Sequence, residues 1–327
     1  MSGKARQSVF FGAGTMVLAL LTLLDICCGD IPMGVLREQG LMHEILTQLR
    51  IPRAVTAILS GAALSAAGAQ MQAIFRNPLA DPHVMGVSAG AGTGAAIATI
   101  ALAGMSGTMV PGSLGIAAAA FAGAAAASAI IVAISSRVRS GNTLLLAGVM
   151  LGFIFSAVTS IIEYSASEES LKIFYSWSAG SFAGNRPVEI MILGVLFLIG
   201  TILAILNGKG LDLILFGEDW SELSGAPVRR VRLVSMASCC IVTGAATAFC
   251  GPIGFVGIVA PHAARWLSGT SVHRITIPGS ILCGAILAVL SDILSTGLGA
   301  PLPAGSTMAL IGIPAILFIL IKDSRHA

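Results

Sequence analysis

The chain has 327 residues, of which 56% are hydrophobic and only 10% charged, with a formal net charge of +3. A soluble domain carries about a quarter charged residues, so this chain has too little polar surface to face water on all sides, and a wholly soluble fold is excluded. Nothing in so small a charge excess points to nucleic acid as a partner.

Taken in chain order, apolar runs fall near 9–28, 54–74, 84–104, 114–135 and 144–162, and again near 188–206, 233–249, 253–267, 275–294 and 307–321. Most last about twenty residues without strict alternation, the length of a spanning helix rather than a barrel strand. The expected fold is therefore an all-α integral membrane protein of ten transmembrane helices, the eighth short and interrupted by Pro261. The first run ends in "LLDICC", but Asp25 and Ile26 stand where cleavage would need small residues, so it is read as a retained helix. The six cysteines lie in or beside apolar runs, and none has the C-x-x-C spacing of a metal or redox site.

An even number of crossings places both termini on one side. With that side cytoplasmic, thirteen basic residues fall inside (Arg76, Arg229, Arg230, Arg232 and Arg265 among them) and five outside: Arg37, Arg50, Arg53, Lys172 and Arg186. The positive-inside rule selects this orientation.

Small residues carry a packing signal. Gly86, Gly90 and Gly94 lie along one helix face, and the fourth run reads "AAAAFAGAAAASA". In lipid, close backbone approach supplies the helix–helix contact energy, so packing within the subunit is expected. "GAALSAAG" in the second helix and "GAATAFCG" in the seventh are each followed by a break, in helices of opposite direction, as in inverted-repeat transport folds.

One polar island interrupts the pattern. "FGEDWSELSGAPVRRVR", residues 216–232, holds six charges: Glu218, Asp219, Glu222, Arg229, Arg230 and Arg232. Acidic residues at the start and Gly225 at the end describe a short polar helix, and Pro227 restarts the chain. The pattern alone fits either a rigid cytoplasmic knob or a solvated loop with stop-transfer arginines.

The predicted helix centres hold almost no ionisable groups, which removes the usual coupling-ion site of a secondary carrier. No G-x-x-x-x-G-K-[ST] loop is present; "LNGKGLD" lacks the upstream glycine and the hydroxyl. No catalytic carboxylate or histidine cluster is present either. The expectation is a transport subunit, not an enzyme, that binds no cofactor itself and takes its energy from a partner.

Long segments of the chain resemble the FecCD family of ABC importer permeases: "RIPRAVTAILSGAALSAAGAQMQAIFRNPLADPHVMGVSAGAG" (50–92), "TLLLAGVMLG" (143–152), the island, "GPIGFVGIVAPHAARWLSG" (251–269) and the tail from "LSDILS" to "ILIK" (290–322). The resemblance spans nearly the whole chain as a single permease domain. It implies a dimer, here a homodimer, around a central pathway, with two cytoplasmic ATPase subunits that hold ATP and Mg, and a periplasmic or lipid-anchored binding protein. The cargo class is an iron chelate (siderophore or haem) or cobalamin, carried across the bacterial cytoplasmic membrane. The alternative is a self-sufficient ion-coupled secondary transporter.

Carried onto this sequence, the family's coupling element maps within about 207–232, at Gly217, Glu218, Asp219, Ser221, Glu222, Leu223 and Gly225. Its outer R-[LI]-P-R motif maps onto Arg50 and Arg53, implying docking of the binding protein, although arginines there also fit headgroup contact. Thr296 stands where several relatives have a further Arg after the Asp. "FRNPLADP" and "SGNT" approach the family's cytoplasmic exit and give Asn77, Leu79, Gly141 and Asn142 as gate residues, which packing alone would also explain. The fifth helix implies a pathway lining of Met150, Phe153, Ile154 and Ala157, followed by an outer turn at 175–184. For a haem cargo, His43 and Tyr175 are the outer candidates for ligands; His83, His262 and His273 fall toward the cytoplasm.

Overall fold

A computed structural model describes residues 3–27, 42–101, 113–138, 141–297 and 302–323. All regular structure among them is helical. In chain order the helices are α1 (Gly3–Cys27), α2 (Met42–Ile74, with a π-helical turn at Leu46–Arg50), α3 (Val87–Ala96, continued by a π-helical turn Ile97–Ala101), α4 (Ser113–Ser135), α5 (Gly141–Tyr164) and α6 (Glu168–Ser178). Then follow α7 (Pro187–Ile214), α8 (Glu218–Leu223), α9 (Val228–Cys250), α10 (Val256–Ser268), α11 (His273–Gly297) and α12 (Ala304–Asp323). Each predicted apolar run lies mainly on a helix; 84–86 fall in the turn before α3 and 253–255 precede α10, while Cys28 and 102–104 lie outside the described residues. Among the described residues seven helices are long and apolar enough to cross a membrane: α1, α2, α4, α5, α7, α9 and α11.

The centre of the molecule is α2. From Ser60 to Ile74 every residue is buried, the mark of a helix surrounded by others rather than facing solvent on one side. It packs against α7, α9, α10 and α11. Its glycines permit this: a Cβ on Gly61 would stand 2.3 Å from the Gly284 carbonyl oxygen of α11, and one on Gly68 would stand 1.9 Å from that of Gly257 on α10. The predicted glycine face of α3 packs inside the subunit as expected. Gly90 and Gly94 meet Gly123 and Ala119 of α4, while Gly86 meets Gly148 and Gly152 of α5.

Both predicted breaks are present. α2 is followed by the short turn Pro82–Met85 before α3, and α9 by the non-helical stretch 251–255 before α10. Left-handed backbone occurs at Gly86 (φ 75°), Gly251 (φ 72°) and, without the freedom of glycine, Phe255 (φ 70°). The two breaks touch: His83 Nε2 lies 2.7 Å from the Ile253 carbonyl oxygen, and its Nδ1 meets the Ser88 hydroxyl. Such contacts satisfy backbone that would be costly if exposed to lipid.

Three boundaries differ from the sequence reading. α2 begins before the apolar run, so Arg50 and Arg53 lie on a helix and not in a loop. α7 runs on through "LNGKGLD" to Ile214, and α9 starts at Val228, so the arginines of the island occupy its first turns. The outer turn expected at 175–184 begins later, because 175–178 belong to the amphipathic helix α6 (168–178), opened by the Ser167 side chain accepting from the Ser170 N–H. The stretch 102–112 between α3 and α4, and Arg37, Arg139 and Arg325, lie outside the described residues.

Candidate functional site

The island folds as a knob. α8 spans Glu218–Leu223, and Gly217 before it takes φ 109°, a conformation that L side chains rarely adopt. The end is closed by paired bonds: Gly225 N–H to Glu222 O at 2.9 Å and Ala226 N–H to Ser221 O at 2.9 Å, with Gly225 left-handed at φ 82°. This is a Schellman cap, and it explains why a glycine stands at 225. Ser221 is buried and fastens the knob to α7, its hydroxyl donating to the Leu213 carbonyl at 2.7 Å and to that of Gly217.

The knob's outer surface mixes charge with apolar side chains. Asp219 and Glu222 are exposed; the side chain of Glu218 lies outside what the structure describes. Leu223 is 89% exposed and Phe216 71%, and the Phe216 and Trp220 rings pack with centroids 5.1 Å apart. Three large apolar groups on this small projecting helix and the turn before it form a surface that water does not favour and a partner would.

Beneath the knob lies a cleft of about 420 Å³ lined by Arg76, Gly141, Asn142, Phe216, Gly217, Asp219 and Trp220. It brings two predicted gate residues, at the base of α5, together with the predicted coupling segment. Asn77 and Leu79 do not line it. Asn77 instead fixes the turn after α2, its Oδ1 accepting from the Leu79 N–H at 2.9 Å, with Asp81 Oδ1 accepting from His83 N–H at 2.8 Å in the next turn. Arg76 reaches the cleft from the left-handed position that caps α2 (φ 47°), with Asn77 N–H donating to Gln72 O. Arg76, Phe216 and Trp220 were passed over in the sequence; the only signal was their place within "FRNP" and the island.

Ties around the cleft hold the neighbouring helix ends. Asp212, near the end of α7, accepts from the His273 backbone N–H at 2.9 Å and pairs with its Nδ1 at 2.6 Å, fixing the start of α11. Arg232 of α9 donates to the Val138 carbonyl beyond α4 at 2.9 Å. Asn207 of α7 donates to Val231 O and Ser235 Oγ of α9, both at 2.7 Å.

The predicted pathway residues share an open face of α5. Met150, Phe153, Ile154 and Ala157 are all exposed in the single subunit, as are Val158 and Ile161. The opposite side of α5 buries Leu144, Gly148 and Leu151.

At the far end of α2, Arg50 and Arg53 sit in an internal network. Arg50 is only 9% exposed and donates to the Ile26 and Cys27 carbonyls at 2.9 and 3.1 Å, closing the end of α1. Arg53 grips Asp292 of α11 through two nitrogens, at 2.6 and 2.8 Å, with side chains 21% and 1% exposed. Any pairing with an outside carboxylate competes with these bonds. Thr296 is buried, its hydroxyl donating to the Asp292 and Ile293 carbonyls. Of the histidines, His83 and His273 are bonded internally as described, and the exposed Tyr175 lies on α6.

Among the described residues no group of three or more His, Cys, Asp or Glu is placed to hold a metal ion.

Comparison with known proteins agrees with this architecture. Residues 13–322 match the model of the FecCD transport family. The hemin transport system permease protein HmuU of Yersinia pestis is 32% identical, with 100% of this chain and 99% of that protein covered. The vitamin B12 import system permease protein BtuC of Salmonella schwarzengrund is 34% identical over 95% of this chain and 94% of its own length. A solved structure of an inward-facing conformation, of an ABC transporter assigned to the metal-chelate type, superposes with a TM-score of 0.85 at 27% identity, covering 96% of this chain and 99% of that one. The polar knob, the small-residue packing around α2 and the full-length matches lead to one conclusion: the chain belongs to the FecCD transport family and is a permease subunit of an ABC importer.

Proposed function

We propose that this subunit carries a metal chelate, an iron siderophore or haem, or else cobalamin, across the bacterial cytoplasmic membrane as one half of a homodimer. In this reading α3, α10 and α12 cross with the seven longer helices, making ten spans with both termini in the cytoplasm. Two ATPase subunits, which carry ATP and Mg, seat α8, and a periplasmic or lipid-anchored binding protein delivers the cargo to the opposite face. The chelate and cobalamin assignment rests on what the relatives named above transport.

The observation that carries the reading is the knob with its exposed Leu223, set over a cleft whose other wall is Gly141 and Asn142 at the base of α5. A partner that grips Gly217–Gly225 would move one wall of that cleft relative to the other. Asn77 and Leu79, in the adjoining turn, complete the proposed gate. The exposed faces of α5 supply the lining, Met150, Phe153, Ile154 and Ala157 from each copy, apolar enough to pass a bulky chelate without holding it. On the outer face Arg50 and Arg53 set the ends of α1, α2 and α11, and the docking surface for the binding protein is built on that fixed end.

The test is extraction of the tagged subunit from its native membrane in mild detergent, with identification of what accompanies it. A stoichiometric ATPase is expected. A well-folded subunit that comes out alone would return the self-sufficient carrier to first place.

A further inference from the structure

Apart from the cleft under the knob, a larger one of about 790 Å³ opens between the ends of α2, α7, α10, α11 and α12. Its size is that of a ligand site, and its walls divide by chemistry. One part is basic: Arg76 and Arg265 line it, beside His262, whose Nδ1 meets the Ile258 carbonyl oxygen at 2.8 Å, and the buried His273. No carboxylate stands in the lining, and the nearby Asp212 oxygen is already bonded to His273. The other part is apolar, formed chiefly by Val259, Trp266, Phe318 and Ile319.

The sequence builds this division from two helices. On α10 the pocket takes Val259, His262, Ala263 and Trp266, one helical stripe, while Ala260 and Ala264 on another face pack against Phe10 of α1. Arg265 is held in place by its bond to Gln72 Oε1 at 2.6 Å, and Gln72 is fixed in turn by the Gly257 and Ile258 carbonyls. α1 is bound to the same end of α10, where Arg6 donates to the Trp266 and Leu267 carbonyls at 2.6 and 3.0 Å. On α12, Phe318 reaches the pocket from a helix whose exposed face is apolar at Leu310, Ile313, Leu317 and Ile321 as well.

From this geometry we infer that the pocket binds an anionic phospholipid, its phosphate between Arg76 and Arg265 and its acyl chains along Trp266, Phe318 and Ile319. A soluble anion has no use for the apolar wall, and a neutral lipid none for the basic one. Basic recesses between membrane helices on the cytoplasmic side have the character of such headgroup sites. The leaflet assigned here, the cytoplasmic one, rests on the orientation proposed above; the pocket chemistry does not. Arg76 also lines the cleft beneath α8, so the bound headgroup would sit beside the coupling surface.

The test exploits Trp266. The chain has three tryptophans, and changing Trp177 and Trp220 to Phe leaves Trp266 as the only one. The full chain is placed in phosphatidylcholine nanodiscs that contain a minor fraction of brominated phosphatidylglycerol or, in parallel, brominated phosphatidylcholine. Phosphatidylglycerol is expected to quench at about tenfold lower mole fraction, and Arg76→Gln and Arg265→Gln each to reduce that preference about fivefold. If Arg265→Gln does not fold, Ala315→Phe fills the pocket with its charges intact and should lower quenching by phosphatidylglycerol. Equal quenching by the two lipids overturns the inference. So does quenching by neither, which would mean that a protein surface such as a second copy covers Trp266. Capture of the ATPase is scored separately on the permease with all three tryptophans in place, so a permease that binds its ATPase without lipid preference refutes the pocket and leaves the importer reading standing.

Discussion

Truncating Leu223 to Ala tests whether α8 is a buried anchor in a partner or a passive loop. In the isolated subunit this side chain is 89% exposed, so almost all of its apolar surface is available for burial on binding. Leu→Ala removes three carbons, and about 0.8 kcal/mol per buried methylene gives about 2 kcal/mol once incomplete desolvation is allowed for. That corresponds to about a 30-fold rise in the dissociation constant for the ATPase. Because the residue touches little within its own subunit, thermal stability in detergent should move by less than about 0.5 kcal/mol. The assay is titration of purified ATPase subunit onto tagged permease at fixed salt, with a thermal melt of the permease alone. A change in affinity below about threefold, with the fold intact, would sink the anchor assignment. Trp220→Ala gives a second reading of the same contact, since it also removes the ring on which Phe216 packs.

Two other perturbations address separate parts of the molecule. Replacing Glu218 and Asp219 together by Lys reverses the charge at the start of α8 and sets a cation beside Arg76 in the cleft; permease-stimulated ATP hydrolysis should be lost while insertion is kept, and unchanged transport would remove these residues from the coupling role. Asp292→Ala leaves the Arg53 guanidinium without its buried partner, which costs about 3–5 kcal/mol; a double-mutant cycle with Arg53→Ala, read by thermal melts, should show the two changes far from additive, and additive losses would mean the pair is not coupled.

The sequence made the helices legible because apolar length is a one-dimensional signal: every run falls mainly on a helix, and seven of those helices are long and apolar enough to cross a membrane. The knob was legible too, since charge and Gly225 mark it locally. Its fastening was not: Ser221 reads as any polar residue of a loop until α7 is seen to continue to Ile214, which puts the Leu213 carbonyl within reach. α7 outruns its apolar stretch because "NGKG" need not break a helix that packs on α9 through Asn207. Arg50 and Arg53 show the opposite failure. Charge and position mark them as outer and available, but the start of α2 eight residues earlier turns them toward α1 and α11. Burial of a charge depends on partners distant in sequence, here 24 residues back to Ile26 and 239 forward to Asp292, and no local pattern carries that.

The distribution of packing decides which part can move. From Ser60 to Ile74 α2 is buried on every side and pinned by backbone contacts at Gly61 and Gly68, so this part is the fixed axis of the subunit. The end of α7 and the start of α11 are joined by Asp212 and His273, and α9 is joined to α7 by Asn207. A force applied to α8 therefore enters a rigid group through Ser221. α5 is held differently. It buries only Leu144, Gly148 and Leu151, meets the turn before α3 through glycines, Gly148 against Met85 and Gly152 against Gly86, and is tied to α3 by Thr93, whose hydroxyl donates to the Phe155 carbonyl at 3.0 Å and lies 2.9 Å from that of Thr159. Its base lies across the cleft from the knob, and its open face is the proposed lining. In the proposed mechanism, relative motion between the braced knob and the base of α5 would change the cleft and the lining together, which is the coupling an importer requires.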